Sequence, residues 1–210
     1  MEILARLGVG RFIIVDFDIV EESNLTRQSG FKKSDIGKSK VEVIQRNIQA
    51  ISDSKVVTIS KQLRCKNDLE KLFKSYSFDI ALCCADTPSI EIDYWFDDLA
   101  HKYNKPIIVG SYASTVINYL HIIPGETLSL REFYGNFMIS DDHILNSKTP
   151  YSVISPISYM AAAIISYKVL DSLTGLLNIT NYIQIDCMNF EVYQPVSYTH
   201  LRAHETELHL

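Results

Sequence analysis

The stretch Asp16 to Gln28, DFDIVEESNLTRQ, gathers acids, side-chain amides and a guanidinium directly after the apolar run Phe12-Ile13-Ile14-Val15. Asp16 falls where that run ends. Ligands of parallel sheets bind outside the carboxyl ends of the strands, and an acid there takes ribose hydroxyls. A lone strand-end aspartate is more often simply solvated, but Asn24, Arg27 and Gln28 follow closely. Their amide and guanidinium donors suit phosphate oxygens, and arginine can meet them in bidentate fashion. Glu21 and Glu22 read as solvated acids, and Asp18 takes no role from the sequence.

The next candidate is Gly37-Lys38-Ser39-Lys40-Val41-Glu42. It is not a P-loop, because Gly30 and Gly37 stand too far apart and no strand runs directly into them. Ser39 and Glu42 have capping-box spacing, so a helix is expected to start there. Lys40 then lies in the first turn, where free amides and the helix dipole favour an anion. Alone it would be an ordinary solvated lysine. Asp86, in Ala85-Asp86-Thr87-Pro88, follows the apolar run Phe78 to Cys83. It can hold Mg²⁺ that bridges to phosphates, or cap a helix with Pro88 in its first turn, and the two roles are compatible.

These residues need a scaffold. Arg11 to Val15, Lys55 to Ile59, Phe78 to Cys83 and Pro106 to Val109 have the continuous apolar character of strands buried on both faces. Between them Val41, Ile44, Ile48 and Ile51, then Leu69, Leu72 and Phe73, then Ile92, Trp95, Phe96 and Leu99 recur at helical spacing. The alternation predicts an α/β, doubly wound, mainly parallel sheet. Ser114 to Ile123 reads as a strand entering the Pro124-Gly125 turn, residues 127–152 as a long loop, and 153–174 as an apolar helix stopped by Gly175. Tyr182 to Asp186 and Phe190 to Tyr193 read as a closing strand pair.

At 210 residues, 47% hydrophobic and 21% charged, the chain suits one globular domain. A net charge of −5 disfavours broad nucleic-acid binding. The apolar stretches are too short to span a membrane, and a cytoplasmic location is expected. Cys65, Cys83, Cys84 and Cys187 form no CxxC pair, so neither a disulfide frame nor a cysteine zinc site is expected. Cys83 and Cys84 read as buried, reduced thiols. Met1 falls inside a helical pattern, whereas a doubly wound domain begins with a strand and a glycine turn. The expected boundaries are therefore a domain over 1–195 lacking that first strand, and a non-native tail over 196–210, where YTHLRAHET resembles translated adapter sequence. His200, His204 and His209 in that tail receive no function.

Leu4-Ala5-Arg6-Leu7-Gly8-Val9-Gly10, then VDFDIVEESNLTRQ, then Asp35-Ile36-Gly37-Lys38-Ser39-Lys40 resemble the ubiquitin-activating-enzyme-like adenylyltransferases, the ThiF/MoeB/HesA group. The resemblance covers roughly residues 3 to 193, and its most specific part is the ordered set Asp16, Asn24, Arg27, Gln28, Lys40 and Asp86. It implies a Rossmann-like fold that uses ATP and Mg²⁺. By that likeness Asp16 binds the ribose, Arg27 and Lys40 hold phosphates, Asn24 and Gln28 shape the phosphate site, and Asp86 positions the metal. Arg27, Lys40 and Asp86 would be the catalytic groups, acting by alignment and charge and not as nucleophiles.

The reaction so implied is attack of a C-terminal carboxylate on the ATP α-phosphate, releasing pyrophosphate. The acceptor would be a ubiquitin-like sulfur carrier protein or a peptide modified in natural-product synthesis, and the enzyme a homodimer. Where many members carry a zinc-binding Cys pair after the Pro-Gly turn, this chain has Ser129 and Glu132. Two other classes compete. A non-catalytic nucleotide-binding or partner subunit could keep the same fold. An NAD-dependent oxidoreductase would suit Asp16 but leaves Arg27 and Lys40 unexplained.

Overall fold

The computed structural model describes residues 1–88, 91–137, 153–176 and 182–194. Strands β1 (Arg11–Val15) and β2 (Lys55–Ile59) pair in parallel, Arg11 opposite Lys55 through Val15 opposite Ile59. Their β-branched and aromatic residues favour the pleated backbone. A parallel pair needs a crossover, and α2 (Lys40–Gln49) supplies it while burying Val41 and Ile48. Helix α1 (Glu2–Arg6) precedes β1 and buries Leu4 and Ala5.

After β2 come α3 (Lys66–Ser75), β3 (Ala81–Cys83), α4 (Glu91–Tyr103) and β4 (Ile107–Ala113), with β3 and β4 again parallel. The chain then reverses. β5 (Val116–Ile122), β6 (Tyr182–Asp186) and β7 (Glu191–Tyr193) continue that sheet as an antiparallel meander in the order β3-β4-β5-β6-β7. β1 and β2 form a separate two-stranded sheet. The α/β, Rossmann-like expectation is borne out, and the antiparallel half is the added carboxyl region.

Both faces of the larger sheet are covered, as a period-2 backbone requires. Ile107 of β4 and Leu120 and Ile122 of β5 pack with Phe96 and Leu99 of α4 and Leu69 of α3. The intervening Ile108 and Tyr119 point the other way, into a cluster with Phe12 and Ile14 of β1 and Ile165 and Val169. Those last two belong to α6 (Ser155–Thr174). Each fully buried aliphatic side chain contributes about 1.5–3 kcal/mol. This second cluster, shared by β1 and β4, holds the two sheets to one core. α6 lies so close to β4 that a Cβ on Gly110 would overlap Ile165 Cδ1. It ends as anticipated at Gly175, which has left-handed φ of 65° and donates its N–H to Asp171 O.

The long loop expected over 127–152 is corrected where the chain is described. Residues Leu130–Phe137 form helix α5. Leu130 and Phe133 are buried against α4, and Asp97 Oδ1 of α4 accepts the Leu130 N–H at 3.1 Å. These tertiary anchors outweigh weak periodicity. Ser129 and Glu132 close a reciprocal capping box: Glu132 N–H donates to Ser129 Oγ (3.2 Å), and Ser129 N–H to Glu132 Oε2 (2.9 Å).

Candidate functional site

The polar segment after β1 folds back onto the start of α2. Asp16 N–H still donates to Ile59 O (3.2 Å), extending the β1–β2 pairing by one residue. The chain then turns and runs antiparallel to residues 38–40. Val20 N–H donates to Lys38 O (2.8 Å), Lys40 N–H donates to Asp18 O (3.0 Å), and Ile19 bridges Ser39.

This backbone ladder fixes three side chains. Asp16 Oδ1 accepts the Asp18 N–H at 2.9 Å. Lys40 Nζ meets Asp18 Oδ2 at 2.7 Å, the lysine side chain 11% exposed and the aspartate 45%. Asp16, Asp18 and Lys40 thus form one connected unit. Asp18, which the sequence left unassigned, is its centre.

Helix α2 starts where the Ser39–Glu42 spacing placed it, but without the capping box. Ser39 occupies the N-cap position of α2, but its side chain makes no capping bond, and its buried Oγ has no partner among the described residues. The bridge to Ile19 is closed by its flanking residues, Val20 to Lys38 and Lys40 to Asp18, the Ser39 carbonyl accepts the Val43 N–H, and the reciprocal geometry with Glu42 does not form.

Asn24, Arg27 and Gln28 lie on and just after a 3-10 turn, Glu22–Thr26. Asn24 is buried, and its Oδ1 accepts the Glu21 N–H at 3.0 Å, so part of its amide shapes the turn. Arg27 Nη1 donates to Ser23 O at 3.2 Å, and the Arg27 carbonyl accepts Ser158 Oγ of α6 at 2.7 Å. α6 therefore anchors the backbone that carries this guanidinium. The side chains of Arg27 and Gln28 remain half-buried.

A second acid that sequence reasoning passed over organises the next loop. Asp35, 1% exposed, takes both guanidinium nitrogens of Arg46 (3.0 and 3.1 Å), Lys38 Nζ (3.2 Å) and the Lys32 N–H (3.1 Å). The Arg46 pair, against the opposing effect of burial, holds its carboxyl well below the usual range. Lys38 is thereby committed to Asp35, which separates its role from that of Lys40 two residues on. The spacing of acids and cations showed neither pairing, because Asp35 precedes α2 and meets Arg46 of that helix only through the fold.

Asp86 stands apart. It is exposed beyond β3, accepts Thr87 Oγ1 at 3.3 Å, and no described hydrogen bond or ion pair joins it to Asp16, Arg27 or Lys40. α4 starts at Glu91, and Ile92 N–H reaches Pro88 O (3.2 Å), so the turn at Pro88 and not Asp86 adjoins the helix start. Among the described residues no group of three or more His, Cys, Asp or Glu side chains converges as a metal cage. A single exposed carboxylate does suit Mg²⁺ that is already held by phosphates.

The thiols divide. Cys83 is buried and donates to Asp93 Oδ1 (3.2 Å), and burial pushes its pKa up. Cys84, expected to be buried beside it, is exposed, because it lies one residue past the strand's inward-facing end. His200, His204 and His209 lie outside the described residues.

Curated relatives include the adenylyltransferase and sulfurtransferase UBA4 of Meyerozyma guilliermondii, 34% identical over 109 residues, 51% of this chain and 24% of that protein. The probable adenylyltransferase/sulfurtransferase MoeZ of Mycobacterium tuberculosis is 35% identical over 108 residues, 51% of this chain and 26% of that protein. The chain thus spans about a quarter of the length of these relatives. Among solved structures, E. coli MccB with ATP superposes with a TM-score of 0.79 at 26% identity, covering 92% of this chain and 58% of that one. The microcin C7 biosynthetic enzyme MccB in complex with N-formylated MccA gives 0.80 at 26%, covering 92% and 59%. Residues 1–207 match the ThiF family, and the chain belongs to it.

Proposed function

We propose that this domain adenylylates the C-terminal carboxylate of a small carrier protein or peptide, consuming ATP and releasing pyrophosphate. The observation that carries the reading is the unit Asp16–Asp18–Lys40, which ties a candidate ribose acid to a candidate phosphate cation at the end of β1. In this reading Asp16 accepts the ribose hydroxyls. Lys40 and Arg27 hold the phosphates, and Asn24 and Gln28 complete the phosphate site. The acceptor carboxylate attacks the α-phosphorus as the bond to the β-phosphate oxygen breaks, so the two cations offset charge that builds on the leaving pyrophosphate. Mg²⁺, held by phosphates with Asp86, would neutralise further phosphate charge.

Support for a polypeptide acceptor comes from relatives named adenylyltransferase and sulfurtransferase and from MccB solved with MccA. Homodimerisation is part of the proposal. It is supported by the apolar side chains left exposed on α1, at its C-cap and on α6, among them Ile3, Leu7, Tyr159 and Tyr167. No described helix is long and apolar enough to cross a membrane. The test is ATP–pyrophosphate exchange with ubiquitin-like carriers and with peptides bearing free C-termini. Exchange that depends on one acceptor class supports the reading and names the substrate. No exchange with any carboxylate, in a chain extended at both ends to the length of its relatives, would sink it.

A further inference from the structure

We propose that Asp18 is the resident counter-ion of Lys40, displaced when a polyphosphate binds and restored when pyrophosphate leaves. The inference rests on the nucleotide reading above, which supplies the identity of the anion.

The pairing is built into the backbone before any side chain is considered. Lys40 N–H donates to Asp18 O, and the flanking rung from Val20 N–H to Lys38 O fixes the register. Lys40 and Asp18 therefore face each other wherever their side chains turn. The Lys40 side chain, 11% exposed, has little water to replace a lost partner, whereas the 45% exposed Asp18 side chain does. Such a pair opens from the acid's side, because Asp18 can return to solvent while Lys40 accepts a new anion in its place. The neighbouring cation is not a substitute, since Lys38 is held by Asp35.

The consequence is a partner exchange. A phosphate arriving at Lys40 must compete with a carboxylate 2.7 Å away, which weakens binding of the triphosphate ground state. The same carboxylate then stands ready to reclaim the ammonium from pyrophosphate, which shortens the product's stay. Asp18 is thus a positioning residue that sets the charge Lys40 presents, and it touches neither ribose nor phosphate itself.

Titration calorimetry of the chain with ATP, pyrophosphate and adenosine tests this. Asp18→Asn keeps an acceptor oxygen but removes the charge. It should tighten ATP and pyrophosphate by about three- to tenfold, the size expected for one nearby charge at a part-exposed site, and leave adenosine unchanged. In a Lys40→Met background the tightening should vanish. If Asp18→Asn weakens ATP, weakens adenosine equally, or still tightens ATP without Lys40, the counter-ion role is wrong. If Lys40→Met itself leaves ATP affinity unaltered, the nucleotide reading falls too. If Lys40→Met weakens ATP while Asp18→Asn does not tighten it, only the present inference falls.

A measurement on the unmodified chain guards against a variant that fails to fold. A zero-length carbodiimide should link Asp18 to Lys40, detected by peptide mass spectrometry. Saturating pyrophosphate should suppress that link and adenosine should not. A link unaffected by pyrophosphate overturns the proposal.

Discussion

At the scale of single residues, the proposed site would divide into a sugar end and a phosphate end, and the division can be measured. Asp16→Ala removes the acid assigned to the ribose, so adenosine and ATP should weaken together, by roughly tenfold or more for a lost charge-assisted bond. Arg27→Ala should weaken ATP by a similar factor and leave adenosine alone. Equal losses for both ligands with Arg27→Ala, read by calorimetry, would remove arginine from the phosphate end. Asp16, Arg27 and Lys40 stood out as candidates because, in order with Asn24, Gln28 and Asp86, their types suggest a nucleotide. Asp18 and Asp35 did not, because an acid's partner is chosen by the fold. Asp18 meets a lysine 22 residues away, and Asp35 an arginine 11 residues away. In sequence Asp18 took no role, and Asp35 stood only as part of a segment that carries the family resemblance.

At the scale of elements, one pattern occurs twice with opposite outcomes. Ser39-Lys40-Val41-Glu42 and Ser129-Leu130-Arg131-Glu132 share capping-box spacing. Only the second forms the reciprocal bonds. Sequence reasoning credited the first and treated the second as the place of an absent cysteine pair within a loop. The difference is tertiary: Ser39 is drawn into the bridge with Ile19, while Ser129 is free to fold over its own helix, whose next amide Asp97 receives. Ser129→Ala should therefore cost about 1 kcal/mol, the usual loss for a capping side chain. Ser39→Ala removes a buried hydroxyl without a partner among the described residues and should be neutral or slightly stabilising. Urea denaturation of the two variants side by side distinguishes them; a larger loss at Ser39 would contradict the geometry.

At the scale of the whole molecule, the sequence announced alternating strands and helices because continuous apolar runs survive any topology. It did not announce that β1–β2 and β3–β7 would be separate sheets joined through a shared core. Among the described residues, β1 and β3 each pair along one edge only.

The shared core also sets how the molecule responds to acid. His121, on β5 beneath α6, is fully buried beside Ser172, whose Oγ is 3.2 Å from its Nε2. Burial first, and then the Lys168 ammonium, lower its pKa to about 4, while the Asp171 carboxylate acts in the other direction. In the folded protein the ring therefore stays neutral at pH values where the unfolded chain, with an ordinary histidine, binds a proton. Above about pH 6.5 neither state is protonated and stability is complete. Between there and about pH 4 only the unfolded state gains the proton, so stability falls, by on the order of 3 kcal/mol in the limit. Below about 4 both states carry it and this contribution stops changing. Buried carboxyls such as Asp97, whose pKa burial raises, act with the opposite sign in part of the same range. The decisive quantity is thus the difference between wild type and His121→Gln, which cannot titrate. Denaturation curves should show the variant losing less stability than wild type between pH 6.5 and 4, with the two running parallel above pH 7. Parallel curves throughout would mean that this histidine is protonated in the folded core, where Asp171 would then have to hold it.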